Sequence, residues 1–414
     1  MYNIFSSKIY IIINYNISGM NKIYLLFIYK IMQYINNNTN TIQWFKNSII
    51  SLAISGLYFL VYIIFRTCLF CYVSHNQLFI HSVIIIYINL SILVWFLSMT
   101  AMMWSLNKCT TGFENVYSSL VFCGILLIAC SPICSDSVAV MNNHIPMLEN
   151  IFFILGLSLF ASGILCFAIQ TVVVSFIQCS RGYGEKIIAI MNFTSACMFL
   201  CIWICFMLSY VRLNNLAEIL LLDLDFYYEM LYWSGGYLLQ FIYTQLFMLS
   251  LLVIVEVYKG GEIKYSSLYE VLLAFNFFLS FMVFVGHARF DLANIDFKLF
   301  YSVYITYITY LVPTIFIITL SFEVVTVTGN KNKLNTVVLM LFYMSSFLFI
   351  FGRVIASVMT VEYNRFIVVS YSTSIGMHLA SMGLVYISCC SHQIQNTINN
   401  NLGVVSQLLI PFNK

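Results

Sequence analysis

Long runs of apolar residues, separated by short polar segments, recur along nearly the whole chain. Each run is long enough to cross the roughly 30 Å core of a bilayer, which takes about 20 residues of helix. Apolar residues follow one another without alternating with polar ones, which favours helices over a β-barrel. The pattern predicts about ten transmembrane helices, at residues 47–65, 79–104, 117–134, 149–178, 186–210, 229–257, 267–287, 297–321, 334–358 and 366–390.

Composition agrees with this pattern, because 62% of the 414 residues are hydrophobic and only 8% are charged. We therefore predict an all-α polytopic membrane protein with one membrane domain at residues 47–391. Residues 1–46 are predicted to form a cytoplasmic N-terminal extension, and residues 392–414 a cytoplasmic tail. The extension has no small-residue cleavage site after an adequate apolar core, so a removable signal peptide is not predicted.

Basic residues are distributed unevenly between the segments that connect the predicted spans. With the N-terminus inside, the inner segments hold 12 lysine or arginine residues and the outer segments hold 5. Basic residues near the ends of spans favour the cytoplasmic side, so both termini are predicted to be cytoplasmic. The small net charge of +3 does not indicate a nucleic-acid partner, and composition implies the lipid bilayer as a partner.

Most of the 13 cysteines lie inside apolar runs, where cysteine behaves as a small hydrophobic residue. Cys197, Cys201 and Cys205 share one helix face, but no histidine or carboxylate lies near them in sequence. We therefore predict that these three cysteines pack and do not bind a metal. Cys68 and Cys71 form a CxxC sequence near a predicted outer end, where a local disulfide is an open alternative.

Two segments carry a resemblance to the copper-binding region of a known family. The sixth predicted span contains YWSGGYLLQF at residues 232–241, and the seventh ends with GHA at residues 286–288. The first resembles a helix of the heme-copper oxygen reductases, subunit I, in which a Gly-Gly-His-x-Leu-Gln-Phe pattern carries a copper-binding histidine. Tyr237 replaces that histidine here. The second is similar to the turn that supplies further copper ligands, and His287 is retained.

The resemblance continues, in the same order, at the segments that bind hemes in this family. Residues 87–97 resemble the helix that begins with a histidine for the low-spin heme, and Tyr87 stands at that position. Residues 144–150 resemble the connector before the fourth helix. Residues 369–376 resemble a His-aromatic-His segment that holds both hemes, with Ser370 and Ser372 at the two histidine positions.

The predicted depth of these positions agrees with the resemblance. At 1.5 Å per residue, Tyr87, Tyr237 and the serine pair lie roughly 6 to 13 Å below the outer ends of their helices. His287 lies near the outer end of the seventh span. All of these positions therefore fall in the outer third of the bilayer, where the family places its hemes and copper. The topology predicted from the basic residues does not depend on the motif, so the two predictions support each other.

The ligand chemistry departs from the family. Heme iron is held by His, Cys, Met or Tyr, and an imidazole copper site needs several nitrogens. Only the imidazole of His287 remains where the family pattern needs about six. Serine hydroxyls are poor ligands, and a tyrosine ligand must ionise in an apolar setting that opposes ionisation. The expected cofactors are therefore none, with heme and copper expected only if the chain is an oxidase with altered ligands.

The eighth span carries a row of hydroxyl side chains around Pro313. Such a row guides protons in the family, and it equally joins helices or satisfies backbone carbonyls, so both interpretations stay open. Arg353, in the ninth span, is the clearest ionisable residue at bilayer depth, with a heme propionate, a lipid phosphate or Glu362 as candidate partners. The hydroxyl residues are Tyr301, Ser302, Tyr304, Thr306, Tyr307, Thr309, Tyr310 and Thr314.

Together these features predict ten helices arranged as in oxygen-reductase subunit I, without its usual ligands. The resemblance favours a non-catalytic relative that acts as a structural or assembly component of a respiratory membrane complex. Two alternatives stay open: a functioning heme-copper terminal oxidase subunit with altered ligands, and a small-molecule or lipid carrier that uses the emptied cavity. The expected partners are other respiratory subunits, and the expected location is a bacterial inner membrane or an organelle membrane of bacterial origin.

Overall fold

Helices make up almost all of the structure, a computed structural model. It describes residues 39–66, 77–106, 113–134, 138–142, 144–178, 183–218, 221–259, 263–326, 333–358 and 373–386. Within these ranges, eight helical spans are long and apolar enough to cross a membrane. The chain is therefore an all-α polytopic membrane protein, as predicted. Large apolar side chains such as Ile133 and Phe176, 79% and 73% exposed, are suited to contact with lipid.

The helices follow the predicted spans closely. In chain order they are α1 (Thr39–Arg66), α2 (Gln77–Ile88), α3 (Trp95–Trp104), α4 (Glu114–Cys134), α5 (Ile151–Gln178), α6 (Tyr183–Ala217), α7 (Leu224–Lys259), α8 (Ser266–Ser280), α9 (Met282–Arg289), α10 (Ile295–Leu299), α11 (Thr306–Val325), α12 (Lys333–Val358) and α13 (373–386). The predicted ninth and tenth spans coincide with α12, whose apolar part is the shorter stretch Thr336–Gly352, and with α13.

Two spans contain a π-helical segment. Asn89–Val94 joins α2 to α3, and Phe300–Ile305 joins α10 to α11. In a π-helix the backbone hydrogen bonds run from residue i to residue i+5, and such segments are frequent at functional sites. Both segments lie beside candidate residues, because Tyr87 precedes the first and Tyr301 lies within the second.

The first helix begins earlier than predicted, at Thr39 instead of residue 47. Its first turns are polar in sequence, but they are buried: Thr41 and Trp44 are both 0% exposed. The hydroxyl of Ser105 donates to Thr41 Oγ1 over 2.9 Å, and the ring of Trp44 stacks on Phe167 at 4.9 Å. Hydropathy cannot predict this extension, since tertiary contacts stabilise it.

A short antiparallel sheet lies between α4 and α5, in a region where no strand was predicted. β1 (Val138–Val140) pairs with β2 (Met147–Glu149), with Val140 opposite Met147. We call residues 138–142 and 144–149 the strap. Asn89 fastens the strap to the first π-helical segment, because its Nδ2 donates to the carbonyl of Pro146 over 2.8 Å.

The chain divides into two compact units. Of the described residues, one comprises 247–259, 263–264, 317–326, 333–358 and 373–386, and the other, which we call the larger unit, comprises those within Asn38–Leu246 and Tyr265–Phe316. The candidate site lies entirely in the larger unit. The bounds of the predicted membrane domain, 47–391, remain a prediction.

Within the larger unit, α4 and α5 pack with their backbones in direct contact. A Cβ added at Gly124 would lie 2.7 Å from the carbonyl oxygen of Gly156 and 2.7 Å from the amide nitrogen of Phe160. A Cβ at Gly156 would lie 2.8 Å from the amide nitrogen of Ile128. Small residues allow such close approach of membrane helices, and dispersion forces then hold the pair together.

Candidate functional site

Six side chains from four elements form a buried cluster in the larger unit, which we call the imidazole cluster. The strap contributes one residue, α7 three, α9 one and the second π-helical segment one. Its members are His144, Trp233, Ser234, Tyr237, His287 and Tyr301. Positions three and four apart on a helix share a face, so the three α7 residues point toward the same neighbours.

Tyr237, which the sequence resemblance assigns to the position of a copper-binding histidine, lies within this cluster. It is 1% exposed. Its ring centroid lies 4.8 Å from that of His144, 5.4 Å from that of Tyr301 and 6.2 Å from that of Trp233. The hydroxyl of Thr306 donates to the Tyr237 hydroxyl over 3.5 Å, a long bond. Aromatic packing therefore surrounds the tyrosine.

His287, the retained histidine, belongs to the same cluster and is 4% exposed. Its Nε2 lies 2.8 Å from the hydroxyl oxygen of Ser234, which also bonds the thiol of Cys205. The other ring nitrogen, Nδ1, is buried and has no hydrogen-bond partner among the described residues. Phe297 contacts the ring, with centroids 5.7 Å apart. One nitrogen is thus used in packing α9 against α7, and one remains available.

Tyr301 connects the second π-helical segment to α9. Its hydroxyl donates to the carbonyl of Val283 over 2.5 Å, and its side chain is 0% exposed. The phenol lies against Gly286, where an added Cβ would be 2.5 Å from the phenol oxygen. Glycine at residue 286 therefore allows the tyrosine to approach beside His287.

The other described hydrogen bonds of the hydroxyl row favour its structural interpretation. Thr306 donates to the carbonyl of Tyr301, Thr309 to that of Ile305, and Thr314 to that of Tyr310, over 2.8 to 2.9 Å. Each of these bonds stays within the same membrane span. The side chains of Tyr304 and Tyr307 are 59% and 57% exposed. The row is therefore divided between buried and exposed faces of the span.

His144 is a cluster residue that sequence reasoning placed in the connector but did not identify as a site residue. Its imidazole lies directly on Gly236, where a Cβ would overlap the ring. The Nε2 end is buried without a partner among the described residues, although the residue as a whole is only half-buried. Burial lowers the pKa of His144 from 6.5 to about 4, because desolvation opposes the charged form. The ring is therefore neutral at pH 7.

Two signals in the sequence could have indicated this contact. Asn142 is a turn-forming residue, and its Oδ1 accepts from the backbone amides of His144 and Ile145 over 3.1 and 2.7 Å. Gly235 and Gly236 lie in the middle of a helix, where glycine is unfavourable unless packing requires it. The ring of Phe206 lies against the first of them and the ring of His144 against the second.

An ion pair lies at the edge of the cluster. Lys298 Nζ is 3.0 Å from Glu229 Oε2, and it also lies 5.7 Å from the centroid of the Trp233 ring. Trp233 is 4% exposed, and its indole Nε1 has no partner among the described residues. His144 also contacts the indole, with centroids 5.7 Å apart and planes at 85°. The indole therefore contacts both a paired ammonium group and a neutral imidazole.

The heme positions do not join this cluster in the described part of the chain. Tyr87 is half-buried on α2, and its ring lies 5.1 Å from that of Phe59 on α1. Ser370, Ser372, Cys68 and Cys71 lie outside the described residues, as does the side chain of Arg353. The structure thus brings together Tyr237 and His287, the two residues that the resemblance assigns to copper positions. Of the residues that it assigns to heme positions, the structure describes only Tyr87.

The chain is similar to the uncharacterized protein RP382 of Rickettsia prowazekii (strain Madrid E). The two are 30% identical over 433 residues, which cover 91% of this chain and 84% of that protein. The chain belongs to the family of that protein. No protein-family model matches the sequence, and no solved structure matches it. Because the similarity covers nearly the whole chain, the relationship is one of whole proteins and not of a single helix.

The described residues of this chain contain no group of three or more His, Cys, Asp or Glu side chains that could hold a metal ion. The two residues that the resemblance assigns to copper positions offer one phenol and one imidazole, and Ser234 already bonds that imidazole at Nε2. Such a donor set does not fit a copper centre built from several imidazoles. The ring nitrogens of the cluster without a partner among the described residues belong to three different elements: His144 Nε2 to the strap, Trp233 Nε1 to α7 and His287 Nδ1 to α9.

Proposed function

We propose that this integral membrane protein is a non-catalytic relative of heme-copper oxygen reductase subunit I. In this proposal it serves as a structural or assembly component of a respiratory membrane complex. The support begins with the sequence, in which four segments resemble the ligand-bearing segments of that family in the same order. The proposal then depends on what occupies the positions of the lost ligands.

The packing of Tyr237 is the observation that carries the proposal. A side chain that is 1% exposed and contacted by His144, Trp233 and Tyr301 fills its site with rings. Buried aromatic side chains contribute strongly to stability through their large area. A site that holds a copper ion leaves space between its ligands for the metal and its substrate. The contacts of Tyr237 instead support a site whose residues hold helices together.

His287 supports the same interpretation. Its Nε2 bonds Ser234 across α7 and α9, so this nitrogen already has a role in packing. At the one described heme position, Tyr87 contributes its ring to the contact between α1 and α2. We therefore propose that the chain binds neither heme nor copper in the manner of the oxygen reductases.

The proposed location is a bacterial inner membrane or an organelle membrane of bacterial origin, with both termini cytoplasmic. The organism of the relative, Rickettsia prowazekii, is a bacterium, which supports this location. Three lysine-glutamate pairs lie close to the ends of spans, where charged groups reach the membrane surface. They are Lys186–Glu270 at 2.8 Å, Lys259–Glu323 at 2.7 Å and Lys298–Glu229 at 3.0 Å. The proposed partners besides lipid are other respiratory subunits.

A reduced-minus-oxidised visible spectrum with metal analysis tests the cofactor part of this proposal. We expect the full-length protein, extracted gently and shown to be folded and monodisperse, to contain neither stoichiometric heme nor copper. A sample with stoichiometric heme and copper would instead support an oxidase with altered ligands. In that case, His287→Ala and Tyr237→Phe would be compared for loss of the spectrum.

Native gels of membranes from cells with and without the gene test the structural role. We expect at least one assembled respiratory complex to decrease when the chain is absent, and to return when the wild-type chain is supplied. A His287→Ala chain that accumulates normally should also restore the complex, because ligand chemistry is not required. Unchanged amounts of every respiratory complex would contradict an assembly role and favour a carrier.

A further inference from the structure

The strap meets the membrane helices through one ionisable side chain. His144 lies on Gly236 of α7, edge-on to Trp233 and beside Tyr237. Its Nε2 points into this packed region and has no acceptor among the described residues. An imidazolium ion would need an acceptor at that nitrogen, because a buried unpaired charge is costly. The contact therefore favours the neutral ring.

The charged groups around His144 do not offset that cost. On α10, the Lys298 ammonium group lies 5.7 Å from the centroid of the Trp233 ring and would repel a second cation. Glu229 already pairs with Lys298. Within the strap, Glu149 is exposed and lies opposite Val138 in the sheet, not beside the ring. The other titratable groups of the cluster are the phenols of Tyr237 and Tyr301, which stay neutral in acid, and the imidazole of His287, which supplies no negative charge in either protonation state.

The remaining anchors of the strap are uncharged and do not depend on pH. They include the bond from Asn89 to the carbonyl of Pro146, the turn formed by Asn142, and buried apolar side chains such as Ile145 and Leu148, 4% and 0% exposed. We propose that protonation of His144 releases the strap from α7, so that the strap closes over the imidazole cluster at neutral pH and opens in acid. Opening would give solvent access to Trp233 and Tyr237, which are buried in the closed state.

The direction of the effect follows from the linkage between protonation and release. The pKa of His144 is about 4 when the strap is closed and returns to an ordinary value near 6.5 when it opens. Between those values the open state binds the proton more tightly, so closure is favoured at neutral pH and weakens as the pH falls. Each pH unit in this window shifts the equilibrium by about tenfold, and the whole window by about 300-fold.

Two methionines of the strap provide the measurement. Met147 is 4% exposed and Met141 is 51% exposed, so oxidation by hydrogen peroxide should modify Met147 only when the strap opens. We would treat the full-length protein in lipid nanodiscs and measure the ratio of Met147 to Met141 oxidation by mass spectrometry. We expect this ratio to rise by about tenfold per pH unit from about pH 6 to about pH 4.5.

Matched variants identify the group responsible. His144→Phe and His144→Gln cannot take up a proton, so their oxidation ratio should stay flat over the same range. His81→Phe, at an exposed histidine of α2, should respond like the wild type. A flat ratio in the wild type would overturn the proposal. An oxidation ratio that rises in both His144 variants as it does in the wild type would also overturn the proposal, because another group would then cause the opening. A high ratio at pH 7 in Glu229→Gln would overturn it too, by assigning the response to Glu229.

Discussion

Two helix contacts in the larger unit are built in opposite ways. α4 and α5 approach until their backbones touch, and Gly124 and Gly156 leave no space for a side chain. The imidazole cluster instead fills the space between α7, α9 and the strap with rings. Three of its nitrogen atoms have no partner among the described residues: His144 Nε2, Trp233 Nε1 and His287 Nδ1.

The difference separates two kinds of constraint on a membrane protein. A contact between backbones is specified by the absence of side chains, so almost any substitution disrupts it. A contact between rings can be remodelled residue by residue, and its unpartnered polar atoms show that it is not optimised for stability alone. We infer that the first kind of contact preserves the arrangement of helices, whereas the second can lose or gain chemistry within an unchanged scaffold.

Gly124→Leu should have the largest effect. Its Cβ would lie 2.7 Å from two backbone atoms of α5, and a backbone cannot move aside as a side chain can. We expect a loss of about 3 kcal/mol or more in unfolding free energy, measured by thermal or denaturant unfolding in detergent. Gly56→Leu is the matched control, because nothing lies within 4 Å of a Cβ at that glycine of α1. Equal unfolding free energies of the Gly124→Leu and Gly56→Leu variants would contradict the interpretation that α4 and α5 are held by a backbone contact.

Gly236→Ala should have an intermediate effect. The added methyl group overlaps the imidazole of His144, but the ring and its strap can move away. We expect a loss of about 1 to 2 kcal/mol in the wild-type background and almost none in a His144→Ala background. A double-mutant cycle on unfolding midpoints measures this coupling. Additive effects of the two substitutions would mean that the contact between strap and α7 does not contribute to stability.

Ser234→Ala should have the smallest effect of the three. It removes the hydroxyl between His287 and Cys205 and leaves the histidine Nε2 without that partner, which costs about 1 kcal/mol. Ser158→Ala is the control, since this exposed serine donates only to the carbonyl of Ile154 in its own helix. We expect the control to change stability by less than about 0.5 kcal/mol. An equal or larger loss of stability in the Ser158→Ala control would show that the hydrogen bond between Ser234 and His287 makes no particular contribution to stability.

The transmembrane helices could be predicted from hydropathy because each one depends on a local property, the length of an apolar run. The strap could not be predicted in this way. Its strands are three residues each and are stabilised by pairing with one another and by Asn89, which is distant in sequence. The predicted first residue of α1 was wrong for the same reason, since Thr41 and Trp44 are buried by contacts with other helices.

Residues of the imidazole cluster could be predicted from the sequence only where they lie in a recognised motif. Tyr237 and His287 were identified by resemblance, and the structure places both in one cluster. His144 was not identified as a site residue because its role depends on a ring-to-backbone contact with Gly236, and no spacing rule connects residues 144 and 236. Tyr301 was noted as part of a hydroxyl row, but its bond to Val283 depends on how two spans pack. Such contacts between distant segments need the folded arrangement.

The π-helical segments Asn89–Val94 and Phe300–Ile305 bear on how the chain is compared with distant relatives. A π-helical turn accommodates one extra residue within an otherwise regular helix. Deleting that residue would rotate everything beyond it by about 100° relative to everything before it. An alignment that runs without a gap through either span could therefore pair Tyr87 or Tyr301 with a residue on the wrong face.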